Sequence, residues 1–231
     1  MRRPRRSRPR ALARIALALV AVAIVLLALA QLLLPRLAAS TIRSRVARYG
    51  DVQSVSVSAW PAIELLWGDA GTVHVHARSL SVTPAQVAAL LWEARGTSSM
   101  QVSAQRVELS SLKLTDAQLS KHGSALRASA RVSEAHVQAA LPEGFRLRLL
   151  RSEHGEVEVS ATGGLFGLSA SVDAVAGAVE GKLVAHPLGL LVEALHLTLF
   201  SNPHVYVEGV GASVAAQSPL SYRLTMSARL R

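Results

Sequence analysis

The 231-residue sequence contains no cysteine. Disulfide staples, thiol catalysis and the lipid-modified cysteine of a lipoprotein are therefore excluded. Aromatic residues make up only 4% of the chain, too few for the stacking platforms that accompany clustered Lys and Arg on nucleic-acid-binding surfaces. The sequence has no G-x-S-x-G nucleophile elbow, no P-loop and no dinucleotide-binding glycine pattern. No repeat of fixed period is evident. Acidic residues are the minority sign, 15 against 25 Lys and Arg, for a formal net charge of +10. Most of that excess is local. Seven arginines (Arg2, Arg3, Arg5, Arg6, Arg8, Arg10 and Arg14) precede residue 15, leaving 18 basic against 15 acidic residues, a net +3. The high isoelectric point thus describes a leader, and nucleic-acid binding is rejected.

Residues 15–34 are apolar apart from Gln31. At a helical rise of about 1.5 Å per residue, such a run spans roughly 30 Å, the hydrocarbon thickness of a bilayer. The arginine-rich flank belongs on the cytoplasmic side, which places the rest of the chain outside. The small-x-small triplet Ala28-Leu29-Ala30 also fits signal-peptidase cleavage, but Leu32-Leu33-Leu34 carries the run beyond it. The expected organisation is a basic cytoplasmic leader at 1–14, a transmembrane signal anchor at 15–34, a membrane-proximal helix at 35–50 and one α+β domain at 51–231. The expected location is the cell membrane, single-pass, with the C-terminal domain extracytoplasmic. In the membrane-proximal segment, Ile42, Val46 and Tyr49 form one helical stripe, and Gly50 ends it. Arg36, Arg43, Arg45 and Arg48 lie mostly off that stripe, suited to anionic headgroups or to water.

Beyond residue 50, strand-like alternation dominates. Val55, Val57 and Ala59 oppose serines, and Val73, Val75 and Ala77 oppose His74, His76 and Arg78. The parity then shifts to Leu80 and Val82, which predicts a bulge near Arg78-Ser79. Similar alternation recurs from Leu126, Phe145, Val157 and Leu168, and most clearly from Leu220 to Leu230. Strands with one apolar face belong to antiparallel sheets wetted on the other. Two helices interrupt them. Thr83-Pro84-Ala85-Gln86 is an N-cap, a proline at the first position and a capping-box glutamine. Ser133 caps a second helix that Pro142 stops. The stretch 187–193 reads as a short helix or a loop.

Two polar constellations could carry chemistry. His74 and His76 sit two apart on a strand, on one face, so both imidazoles could reach a metal ion; a zinc site needs further ligands, and the wet face of a strand is the simpler account. Glu156 and Glu158 likewise share a face but alternate with valines, as solvated carboxylates do. Neither is taken as catalytic or metal-binding, and no cofactor is expected. The apolar features stand out more. Trp60, Ile63, Leu66 and Trp67 interrupt the alternation as a cluster, and Leu165 and Phe166 sit in a glycine-rich turn. Tryptophan is favoured where one side is apolar and the other wet.

The stretch "WPAIELLWGDAGTVHVHA" resembles the x-P-x-x-x-x-L-L-x-G segment and following V-x-V strand of LmeA-like proteins, which are phospholipid-binding proteins of actinobacterial cell envelopes. Pro61, Leu65, Leu66, Gly68, Val73 and Val75 carry the match. "VSAQRVELSSLKL" resembles the family's paired apolar strand, and "ASARVSEAHVQAALPEGFRLRL" its strand, short helix and strand. Trp60 stands where the family commonly has Phe, and the helix at 84–95 looks like an insertion. The resemblance implies binding of membrane phospholipid and, from the founding member, a part in building mannose-containing envelope lipoglycans. It supplies no catalytic residues. By analogy with tubular lipid-binding proteins, the expected fold is a curved antiparallel β-sheet wrapped around one or two helices.

The leading expectation is an anchored, non-enzymatic phospholipid-binding protein, with Trp60, Ile63, Leu66, Trp67, Leu165 and Phe166 at the lipid. The alternative is a structural or interaction module of the envelope without a lipid ligand.

Overall fold

A computed structural model of the protein describes residues 36–58, 71–141, 143–165, 168–189 and 196–231. The leader and the apolar run at 15–34 lie outside these. Among the described residues, no helix is long and apolar enough to cross a membrane.

Among the described residues, twelve strands form two sheets. The seven-stranded sheet, sheet A, has the order β1-β2-β3-β4-β5-β12-β11. Its members are β1 (Gly50–Ser58), β2 (Thr72–Val82), β3 (Ser99–Leu109), β4 (Leu112–His122), β5 (Ala125–Ser133), β11 (Val205–Gln217) and β12 (Leu220–Leu230). The five-stranded sheet, sheet B, runs β10-β9-β8-β7-β6. It comprises β6 (Phe145–Glu153), β7 (Glu156–Leu165), β8 (Leu168–Val179), β9 (Lys182–Pro187) and β10 (Leu197–Phe200). Every pairing is antiparallel except β2–β3. That parallel pair needs a crossover, and α2 (Pro84–Glu93) supplies it. The mostly antiparallel β fold with a few helices agrees with expectation. The division into two open sheets, and the parallel pair, do not follow from alternation.

Local signals behave as their chemistry dictates. Gln86 N–H donates to Thr83 Oγ1 (3.3 Å), and Thr83 N–H donates to Gln86 Oε1 (2.8 Å), closing the capping box of α2. At α3 (Glu134–Ala140), His136 N–H donates to Ser133 Oγ (3.2 Å). The predicted bulge is present: Asp51 pairs with Ser79 and Val52 with Ala77, so Arg78 is the extra residue. Helix α1 occupies residues 36–46, and a 3-10 turn, Ala47–Tyr49, leads into β1. Gly50 sits at φ +154°, where a Cβ would lie 2.0 Å from the Ser79 carbonyl oxygen, so only glycine makes this corner. The chain leaves β9 at Pro187 into non-helical Leu188 and Gly189; residues 190–195 lie outside the described set.

Pairing register turns alternation into two faces. Val55, Val75, Val102, Leu119, Ala128, Met226 and Val210 are successive partners across all seven strands of sheet A. At one end of this apolar face, Ala38, Ala39, Ile42 and Val46 of α1 and Val87, Ala88 and Leu91 of α2 cover a core of Val73, Val75, Met100, Leu126, Ala228 and Leu230. The cover stops short of the far end, where Val214 is 52% exposed.

Lys121 continues the parity of Ala117 and Leu119, which puts an ammonium group on the apolar face, only 1% exposed. It survives there because its Nζ donates to the carbonyls of Arg95 (3.2 Å) and Thr97, just beyond α2. Burial pushes its pKa below the ordinary lysine value.

Sheet B meets sheet A along the outer edge of β11. The N–H groups of Val207 and Val210 donate to the carbonyls of Gly181 (2.9 Å) and Gly155 (2.8 Å), at the tips of the β8–β9 and β6–β7 hairpins. The N–H of Ala212 donates to Ser152 Oγ (2.9 Å). Hairpin tips thus occupy donors that an open edge strand would offer to another chain. The backbones approach closely, since a Cβ on Gly209 would lie 3.2 Å from Gly155 Cα.

Candidate functional site

Five of the six residues singled out from the sequence (Trp60, Ile63, Leu66, Trp67 and Phe166) lie outside the described residues. Leu165 ends β7 paired with Leu168, and its side chain is outside the described set as well. The site must therefore be built from the rest of the fold.

Sheet B supplies an apolar surface. Leu147 pairs with Ala161, Leu149 with Val159, Val159 with Ala174, Ala161 with Val172, and Ala176 with Ala185. These residues share one face. The other carries Arg146, Arg148, Ser160, Thr162, Ser171 and Asp173, knit by Ser160–Ser171 (3.1 Å) and Thr162–Ser171 (3.3 Å) hydroxyl contacts. Arg151 and Glu158 pair on that wet side at 2.9 Å. Among the described residues, no helix comparable to α1 and α2 lies over the apolar face. Of nine exposed large hydrophobic residues among those described, seven fall between Phe145 and Leu199. Of 17 buried hydrophobic residues among those described, sheet B contributes only Val184. On this face Phe145 and Val172 are exposed and Leu147, Leu149 and Val159 only partly buried, a pattern that marks a ligand, membrane or partner surface.

Sheet A supplies the polar counterpart. Two ladders of partners cross all seven strands on the face opposite α1 and α2. One runs Ser56, His74, Gln101, Ser120, Arg127, Ser227 and Gly209, and the other Ser54, His76, Ser103, Gln118, Ser129, Thr225 and Gly211. Against them stands the β6–β7 tip, Ser152 to Gly155, and the space between is a trough of about 880 Å³. His76 belongs to this wet face: it is exposed, and its Nδ1 lies 2.6 Å from Ser103 Oγ.

The apolar and polar surfaces meet at one strand end. Ser152 pairs with Val157, on the apolar side of sheet B, and also lines the trough. A molecule lying along β6 would therefore pass from leucine and valine to hydroxyls and amides. On the other side of the joint, burial and the carboxylate of Glu134 push the Tyr222 phenol above its usual pKa, opposed by Arg148. Wet-face Arg148 thus lies near β12, while Ser152 faces the trough.

Sequence reasoning missed both surfaces as units. The alternation is visible strand by strand, but only the register aligns Gln101 with Ser120 and Arg127, whose partners are 19 and 7 residues away.

A family model for LmeA-like phospholipid-binding matches residues 25–227. Neither the curated proteins nor the solved structures contain a match. The match covers nearly the whole chain, and an amphipathic surface suits what the family binds: this protein belongs to the LmeA-like phospholipid-binding family.

Proposed function

We propose that the protein is a membrane-anchored, extracytoplasmic phospholipid-binding protein that holds acyl chains on the apolar face of sheet B and assists assembly of envelope lipid or lipoglycan. The observation that carries this reading is the apolar face built from Leu147, Leu149, Val159 and Val172, partly buried at its centre and open at Phe145 and Val172. Each methylene moved from water onto such a surface contributes about 0.8 kcal/mol, so a few buried carbons per chain suffice for retention. The apolar run at 15–34 and the arginines before it support anchoring with the domain outside. The role is one of holding lipid: the polar groups near the site are mostly hydroxyls and amides, with Arg127, Glu153, His76 and His154 among them.

Native mass spectrometry of the full chain, released from membranes in mild detergent, tests the reading. Phospholipid should co-purify, and Leu149→Ser with Val159→Ser should abolish its retention. A lipid-free protein that extracts none from vesicles would instead assign the apolar face to a protein partner. The absence of cysteine makes topology easy to read. A single Ser56→Cys should react with an impermeant maleimide added outside intact cells, and labelling only after lysis would overturn the orientation.

A further inference from the structure

We propose that the trough between sheet A and the β6–β7 tip is a recognition site for a neutral, hydroxyl-rich group, a polyol or saccharide. This rests on the reading that acyl chains lie on sheet B, and it names the kind of headgroup the other half of the surface selects.

The lining argues for that chemistry. At the centre of the two ladders stand Gln101, Gln118, Ser129 and Thr225. Their side chains have no hydrogen-bond partner among the described residues, while neighbouring His76, Ser120, Ser152 and Ser227 do. Primary amides and hydroxyls each both donate and accept, as do the hydroxyls of a polyol, so either partner can supply the proton at each contact. Adjacent strands lie about 4.8 Å apart, so successive side chains present a regular two-dimensional set of such groups. On β11 the ladders end in Gly209, packed on the Gly155 backbone, and Gly211, packed on the Thr225 hydroxyl, so that edge of the trough is closed by the β6–β7 tip.

Other ligand classes fit less well. An acyl chain would strip water from the amides and hydroxyls without replacing their hydrogen bonds, at a cost of roughly 1–3 kcal/mol for each. A bare phosphate favours several converging cations or backbone donors. Here Arg127 is the one guanidinium, Glu153 shares the lining, and His76 and His154 are the remaining ionisable groups, with Val102, Leu119, Ala128, Val210 and Met226 between the polar ladders. One phosphate at the rim beside Arg127, with hydroxyls beyond it, is compatible with that balance.

The same chemistry reaches the trough either on a lipid or as a free sugar, and the test separates them. Full-length protein is offered phosphatidylcholine vesicles doped with monogalactosyl diacylglycerol or with phosphatidic acid, and separately free methyl galactoside. The galactolipid should be taken up about tenfold better than phosphatidic acid, equivalent to about 1.4 kcal/mol. Gln101→Leu with Gln118→Leu should erase that preference while phosphatidylcholine uptake stays unchanged; both glutamines are exposed, so the fold tolerates the change. The isosteric Gln118→Glu should weaken it in part. If free galactoside shifts the side-chain amide NMR signals of Gln101 and Gln118, the site also accepts a soluble saccharide. Equal uptake of all lipids, unaltered in the double variant, with silent amide signals, overturns the trough assignment and leaves lipid binding intact. Failure to take up any lipid overturns the acyl-chain reading, and the amide signals then decide the trough alone.

Discussion

Sheets A and B are written in the same pattern, apolar residues alternating with Ser, Arg, Glu and Thr, yet they end in different environments. In sheet A, Val75, Met100 and Leu126 are at most 8% exposed beneath α1 and α2. In sheet B, Phe145 and Val172 on the corresponding face are 41% and 40% exposed. Alternation specifies that a strand has an apolar side. It leaves open whether that side meets protein or something else. The apolar face of sheet A lies beneath helices, whereas that of sheet B keeps Phe145 and Val172 exposed, and the contrast sorts the expected effects of mutation.

The largest effect belongs to the covered core. Leu126→Ala should lower unfolding free energy by about 2–5 kcal/mol in urea titrations. Next comes the joint. Gly209→Val would drive a side chain into the Gly155 backbone, costing about 1–3 kcal/mol, and hydrogen exchange should speed up at the Val210 amide. Replacing Lys121 by Met frees a buried position of its charge but orphans the Arg95 and Thr97 carbonyls, a loss of about 1–3 kcal/mol at neutral pH. The same variant carries a pH signature. In the folded protein the Lys121 pKa lies below 10.5, its ordinary value, so between the two values the unfolded chain binds a proton that the folded chain has released. Its contribution to stability therefore rises with pH through that window, and the difference between wild type and Lys121→Met should grow there.

Leu149→Ser in sheet B should shift stability by about 1 kcal/mol, because its side chain is only partly buried, while lipid retention falls clearly. A loss comparable to that of Leu126→Ala would erase the distinction between the sheets. The smallest change is expected for Arg151→Ala. Its guanidinium is 65% exposed, so breaking the 2.9 Å pair with Glu158 should cost at most about 1 kcal/mol, with the effect shrinking at high salt.

Much of the local structure was legible. The Thr83–Gln86 box, the Ser133 cap and the bulge at Arg78 each depend on residues within a few positions of one another. Lys121 shares the parity of Ala117 and Leu119, a placement on the apolar side that the sequence reading did not make. Its partners, the carbonyls of Arg95 and Thr97, lie 26 and 24 residues away, and no local pattern announces them. The predicted tryptophan cluster is outside the described residues. The surfaces that can be described are an apolar one whose Leu147, Leu149 and Val159 had read as ordinary strand, and a polar one with Gln101 and Gln118, which had not been singled out.

What the sequence by itself determined is the two-faced character of each strand, the caps and the stops, because these rest on periods of 2.0 and 3.6 residues and on neighbours along the chain. The family is legible there too, in apolar positions matched over residues 25–227. Only the tertiary structure decided the register, the parallel β2–β3 pair, the split into two sheets and the joint at β11. Sliding a strand by two residues preserves its faces while changing every partner, so alternation is blind to that choice. Contacts between distant segments make it, and they determine where hydroxyls collect into a trough and which apolar face stays open.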